Sequence, residues 1–202
     1  MRPPFGRLAD CCAGSGVVGL GLLSRDAAAT ATLIELQPRL ASLARRNVVE
    51  NGYAARATVV AADLAATLPL PGASFDLVVS NPPYRLPSEG PPSPDPEVAM
   101  AQHEIKLTLA QLVAQLKRLL VPAGRAAVVY PAARLSELLA ALDGAGLRPR
   151  RLRCVHPRAG EPANRVLVEA NKGARGPLVV EPPLIVRDGD GYTAEAAQIL
   201  GD

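Results

Sequence analysis

Short, mostly apolar runs alternate along this chain with stretches whose apolar positions recur at helical spacing. Leu8–Cys12, Thr30–Leu36, Ala57–Ala62, Phe75–Ser80 and Arg125–Tyr130 are near-continuous apolar segments, the pattern of strands buried on both faces. Between them lie helix patterns. Pro38 opens one, Leu40, Leu43, Ala44 and Asn47 share its face, and Asn51-Gly52 closes it. A second is predicted from about Val98 to Leu120, with Ile105, Leu109, Leu112, Val113, Leu116 and Leu120 on one stripe. A third groups Leu135, Leu138, Leu139 and Leu142 and stops near Gly144. Strand–helix alternation of this kind predicts an α/β layered fold with a parallel sheet.

After Gly146 the pattern changes. Leu147–Val155 and Asn164–Ala170 read as strands, and the residues between them are too few for a helical crossover, so an antiparallel pair at the sheet edge is expected. Clusters of Gly, Pro and Asp over Gly173–Asp190 predict a segment that wraps the surface. A single domain over residues 1–202 follows, with about 173–202 as a C-terminal surface extension.

Composition narrows the class of protein. Hydrophobic residues make up 49% and charged residues 20%, yet no apolar run approaches the length needed to cross a bilayer. No secretory pattern opens the chain, so a soluble, cytoplasmic protein without membrane contact is expected. A net charge of +3 and a pI near 9.0 permit an anionic partner such as RNA without demanding one. Of 22 basic residues only Lys106, Lys117 and Lys172 are lysine, which suits a GC-biased genome and lowers the functional weight of any single arginine. Cys11, Cys12 and Cys154 match neither a disulfide framework nor a metal-ligand spacing, and no metal site is expected.

The chemistry-bearing segment is Asn81-Pro82-Pro83-Tyr84, at the end of the Phe75–Ser80 run. Two prolines remove two N–H donors, fix φ and push the preceding residues away from helix. Such a loop presents the Asn81 amide oxygen and the Pro82 carbonyl as acceptors for an –NH2 group. Tyr84 offers a face on which a base can stack, typically for ~1–3 kcal/mol. As a bare pattern it also fits a proline-rich surface turn.

Asp10-Cys11-Cys12-Ala13-Gly14-Ser15-Gly16 follows the first strand and opens a helix. Gly14 and Gly16 allow a tight turn and close approach of a ligand to the helix N-terminus. Glu35 ends the second strand, where a carboxylate can accept from two ribose hydroxyls, and Asp63 ends the third, within reach of an adenine amine. Helix capping is the alternative reading for each carboxylate. Gly14-Ser15-Gly16-Val17-Val18-Gly19 also satisfies the dinucleotide fingerprint, with Glu35 in the acidic position, so an NAD-binding protein remains a rival. Asp10 argues against it: a charge at that strand end suits a cationic ligand without phosphates, such as S-adenosylmethionine.

Taken in order, Asp10, Gly14, Gly16, Glu35, Asp63 and Asn81–Tyr84 resemble a class I S-adenosylmethionine-dependent methyltransferase that modifies an exocyclic amine. Ala101-Gln102-His103-Glu104, Val121-Pro122-Ala123-Gly124-Arg125, Val155-His156-Pro157-Arg158, Pro162-Ala163-Asn164-Arg165, Glu181-Pro182-Pro183-Leu184-Ile185 and Gly191-Tyr192 further resemble the bacterial tRNA(Val) adenine-N6 methyltransferases. The resemblance implies a Rossmann-like three-layer sandwich with a mostly parallel seven-stranded sheet and an antiparallel C-terminal edge hairpin. It implies methyl transfer from S-adenosyl-L-methionine to adenine N6 in tRNA. Asn81, Pro82 and Tyr84 are the expected catalytic residues, and Asp10, Gly14, Gly16, Glu35, Asp63 and Asn81 the expected cofactor-binding ones. Pro83, His103, Arg151, Arg153 and Asn164 are candidates for substrate binding. Members of this family carry a few tens of residues before the first strand, a segment this chain is expected to lack because its strand begins by about Arg7. Cys12 stands where many members have a glycine.

The same chemistry on a glutamine amide or on guanine N2 stays open, as does a truncated, non-catalytic cofactor- or RNA-binding remnant. The basic run Arg148, Arg150, Arg151, Arg153, His156 and Arg158 is the candidate RNA surface, with Arg151 and Arg153 on one strand face; a solvated strand is its alternative.

Overall fold

The structure is a computed structural model that describes residues 5–83 and 107–201. A single mixed sheet runs through it, with helices on both faces. Its strands are β1 (Phe5–Cys11), β2 (Ala28–Glu35), β3 (Ala57–Ala61), β4 (Phe75–Ser80), β5 (Leu120–Pro131), β6 (Leu147–Arg158), β7 (Arg165–Lys172), β8 (Val179–Val180), β9 (Leu184–Asp188) and β10 (Gly191–Tyr192). The spatial order is β10-β9-β6-β7-β5-β4-β1-β2-β3, with β8 also paired to β6. The helices are α1 (Val17–Ser24), α2 (Pro38–Glu50), α3 (Leu109–Leu119), α4 (Leu135–Gly144) and α5 (Ala194–Leu200).

Strands β3, β2, β1, β4 and β5 pair in parallel, so their C-terminal ends come out on one rim. Alternation along β1 sorts its side chains between two cores. Ala9 and Cys11 face Leu112, Leu116, Leu138 and Leu142 of α3 and α4. Leu8 faces the opposite layer, where Leu33, Leu77 and Val79 meet Leu23 of α1 and Ala44 and Val48 of α2. The α2 pattern is realised over nearly its predicted span, with Ala41, Ala44 and Val48 as the buried stripe.

Helix α3 begins later than its apolar stripe suggests. Thr108 and Gln111 form a capping box: Thr108 Oγ1 accepts from the Gln111 N–H at 3.2 Å, and Gln111 Oε1 accepts from the Thr108 N–H at 2.9 Å. That reciprocal pair sets a start that hydrophobic spacing alone does not see. Residues 98–106 of the predicted helix lie outside the described residues.

The C-terminal part contains more sheet than expected. The hairpin β6–β7 is antiparallel as predicted, but β7 lies between β5 and β6. Among the described residues ten strands are present where seven are expected, because the segment predicted to wrap the surface supplies β8 and β9, both parallel to β6, and then β10. Side chains fasten this addition. Arg151 pairs with Glu169 at 3.5 Å and with Glu181, and Arg153 pairs with Glu195 of α5 at 2.6 Å.

Close packing of α1 on the sheet depends on Gly19. A Cβ there would stand 2.3 Å from Leu33 Cδ2 and 3.1 Å from Asp10 Oδ2. Gly19→Ala is expected to destabilise the protein by ~1–3 kcal/mol, the usual cost of overpacking; urea unfolding of the two proteins measures it, and equal midpoints would contradict this packing.

Candidate active site

The rim of the parallel strands carries a cavity of ≈ 230 Å³ whose lining includes Cys12, Gly14, Glu35, Gln37, Leu40, Asp63, Asn81 and Pro83. All but Leu40, in the first turn of α2, come from the end of a strand or the turn beyond it. Pairing of Cys11 with both Ile34 and Ser80 brings the ends of β1, β2 and β4 level, and pairing of Glu35 with Ala61 adds β3.

The glycine-rich loop is held by backbone and carboxylate bonds. Ala13 N–H donates to the Ile34 carbonyl at 3.0 Å and Gly16 N–H to the Ala13 carbonyl at 2.8 Å. Gly14 N–H donates to Glu35 Oε2 at 2.7 Å, while Gln37 N–H donates to Glu35 Oε1 at 2.8 Å. Glu35 is thus oriented by two amides, and a carboxylate oxygen has lone pairs for a second donor each. Asn47 Nδ2 donates to the Ser15 carbonyl at 2.9 Å, which explains a polar residue on the otherwise apolar face of α2. Cys12, Gly14 and Gly16 take positive φ values of 61°, 56° and 87°. Only Cys12 has a side chain to strain there, at ~1–2 kcal/mol.

Asp10 lies behind this loop, beneath α1, and is absent from the cavity lining. It is 1% exposed and its Oδ2 accepts from the Gly19 N–H at 2.8 Å. Burial raises its pKa from 3.8 to about 7, the Gly19 bond opposes that rise, and Glu35 adds to it. Burial together with Glu35 pushes the Cys12 thiol up to about 12, so it lines the wall as a neutral group.

Asp63 is exposed at the cavity, and its Oδ1 caps the Ala65 N–H at 2.7 Å. Asn81 and Pro83 are exposed on the lining and Pro82 is buried between them. Tyr84 and His103 lie outside the described residues. Asn164 sits on the same rim, its carbonyl accepting from Ala132 N–H just beyond the end of β5 at 3.2 Å, but it does not line the cavity. Neither do Arg151 and Arg153, whose guanidinium groups hold the carboxylates of the C-terminal segment. Arg148 pairs with Asp143 and Arg150 with the Arg175 carbonyl, so much of the basic run expected to meet RNA has partners within the chain. Spacing missed Gln37, Leu40, Leu64 and Leu107 as lining residues; the rule that ligands sit beyond parallel strand ends points to the first two.

Residues 1–93 match the methyltransferase small domain family. The tRNA1(Val) (adenine(37)-N6)-methyltransferase of Aeromonas hydrophila is 34% identical over 168 residues, covering 83% of this chain and 69% of that protein. The chain belongs to the tRNA1(Val) adenine-N6-methyltransferase family. A release factor glutamine methyltransferase of Rhodospirillum rubrum is also 34% identical, over 187 residues, but only 54% of that protein is covered. The crystal structure of a predicted O-methyltransferase from Agrobacterium tumefaciens superposes with a TM-score of 0.75 at 26% identity, covering 97% of this chain and 88% of that one.

This family member is an S-adenosylmethionine-dependent N-methyltransferase, and its cavity fits that cofactor. A Cβ on Gly14 would meet nothing within 4 Å, so the turn leaves open space beside a residue that lines the cavity. Glu35 and Asp63 contribute carboxylates to its lining, and Ile34, Leu36, Leu40 and Leu64 contribute apolar surface. No group of His, Cys, Asp and Glu suited to a metal ion occurs among the described residues.

The Asp10 carboxyl makes stability depend on pH. The folded state binds its proton more tightly than the unfolded chain does, so this contribution is complete below about pH 4 and is lost as pH rises through about 7. Asp10→Asn is expected to flatten a loss on the order of a few kcal/mol across that window. Urea unfolding from pH 4 to 8 tests it; an identical slope in both proteins would remove Asp10 as the cause.

Proposed function

We propose that this methyltransferase transfers the methyl group of S-adenosylmethionine to the N6 amine of an adenine in tRNA. The observation that carries the reading is the placement of Asn81 and Pro83 on the same cavity wall as Gly14, Glu35 and Asp63. Glu35 would hold the ribose hydroxyls and Asp63 the adenine amine of the cofactor, with Gly14 giving its backbone close approach. When bound, the cofactor supplies an electrophilic methyl group on a cationic sulfur.

The chain's own residues orient the acceptor. The Asn81 amide oxygen and the Pro82 carbonyl hold the two hydrogens of the target amine, which turns its lone pair toward the cavity. Tyr84, next along the chain after Pro83, stacks on the base. No side chain has to remove a proton first, because the nitrogen becomes acidic as its new bond forms and its proton then passes to solvent. Orientation is the main contribution, and such alignment supplies up to ~7–11 kcal/mol in favourable systems.

The A. hydrophila relative supports tRNA as the substrate, and the R. rubrum relative keeps a glutamine amide as the second reading. Radiolabelled methyl transfer to bulk tRNA and to a release factor, assayed side by side, separates them: label in tRNA alone is expected, and label in the release factor alone would overturn the proposal. Asn81→Ala is expected to lower methylation at least about a hundredfold while leaving cofactor affinity nearly unchanged, since misalignment alone costs about that much. Equal turnover by mutant and wild type would exclude Asn81 from the acceptor site.

A further inference from the structure

Two of the loops that line the cavity, those after β1 and β4, are joined by one buried hydroxyl. Ser80, the last residue of β4, is 2% exposed, and its Oγ donates to the Cys11 carbonyl at the end of β1 at 2.8 Å. The two residues are register partners in the parallel ladder. Backbone pairing therefore aligns the strands, and the hydroxyl adds a bond at the point where both leave the sheet. On the β1 side the next residue is Cys12, whose φ of 61° starts the turn toward Gly14. On the β4 side the next residue is Asn81, on the cavity wall.

We infer that Ser80 is a positioning residue for methyl transfer: it locks the Asn81 loop to the cofactor loop, so that amine and donor meet in line. The inference rests on the function proposed above. Ser80 touches neither reactant, as its absence from the lining shows, and acts through Cys11 and Asn81. Its chemistry suits that task. A buried hydroxyl whose proton is committed to a carbonyl has one best rotamer, whereas alanine leaves the carbonyl without its partner and the Asn81 backbone without its tether. A strand otherwise closed by Leu77, Val78 and Val79 has no packing reason to end on a buried polar residue.

The test uses the whole chain. Ser80→Ala is expected to lower kcat at least about tenfold with the dissociation constant for S-adenosylmethionine, measured by calorimetry, changed by less than about threefold. In an Asn81→Ala background the same substitution is expected to change kcat by less than about twofold, because the residue it positions is gone. Equal losses in both backgrounds, or no loss in either, would overturn the inference. Hydrogen exchange decides it without any activity. The amides of Cys12–Ser15 and Asn81 should exchange at least about tenfold faster in Ser80→Ala, with the amides of α4 unchanged. Unchanged loop exchange would overturn the inference even if the wild type proved to methylate a different substrate. Should Ser80→Ala not fold, Ser80→Cys, a similar shape with a weaker donor, is expected to show the same exchange pattern at smaller amplitude, and wild-type exchange in that variant would count against it.

Discussion

Level strand ends are the condition on which this site depends. The register Cys11 with Ser80, Cys11 with Ile34 and Glu35 with Ala61 is backbone hydrogen bonding, indifferent to side chains. Its consequence is chemical. Four loops that are distant in sequence emerge at one height, and a glycine turn, two carboxylates and an asparagine come to line one cavity. A slip of one residue in any of these strands would turn Asp10 or Ser80 to the opposite face and undo the arrangement.

Polar groups buried at that rim hold it in shape. Glu35 uses both oxygens on the amides of Gly14 and Gln37, so it braces the loop beside which it lines the cavity. Asp10 does the same from behind through Gly19. Carboxylates so placed carry a desolvation cost, visible in the raised pKa of Asp10, and that cost is offset by amides that would otherwise lie unpaired at a helix N-terminus. The same economy appears at the far edge, where Arg151 and Arg153 clamp Glu181 and Glu195 and so extend the sheet beyond β6.

Much of this was legible in the chain. The strand β4 and the helices α2 and α4 follow directly from apolar runs, Pro38, Asn51-Gly52 and leucine spacing, because local burial patterns and terminal signals suffice there. The start of α3 was misplaced because its apolar stripe continues past the cap, and only the Thr108–Gln111 pair marks the boundary. Strands β8 and β9 were invisible for a different reason: two to five residues among prolines and glycines have no periodicity, and they are strands only because β6 offers an unpaired edge. The intrachain partners of Arg151 and Arg153 were hidden for the same reason, since they lie dozens of residues away.

By itself the sequence determined the class of fold and the kinds of group at the site: glycines for a turn, carboxylates after strands, and an Asn-Pro-Pro loop that cannot join regular structure. Those properties are local, set by φ, side-chain volume and charge. Tertiary structure decided which of these groups face the cavity and which stand behind it. Asp10 and Glu35 are both acids near strand ends and share one face of the sheet, yet Asp10 is level with Leu33, two residues short of Glu35, so one lies buried under α1 and the other reaches the rim. That division depends on strand register and helix contact, and both arise from pairing between residues far apart along the chain.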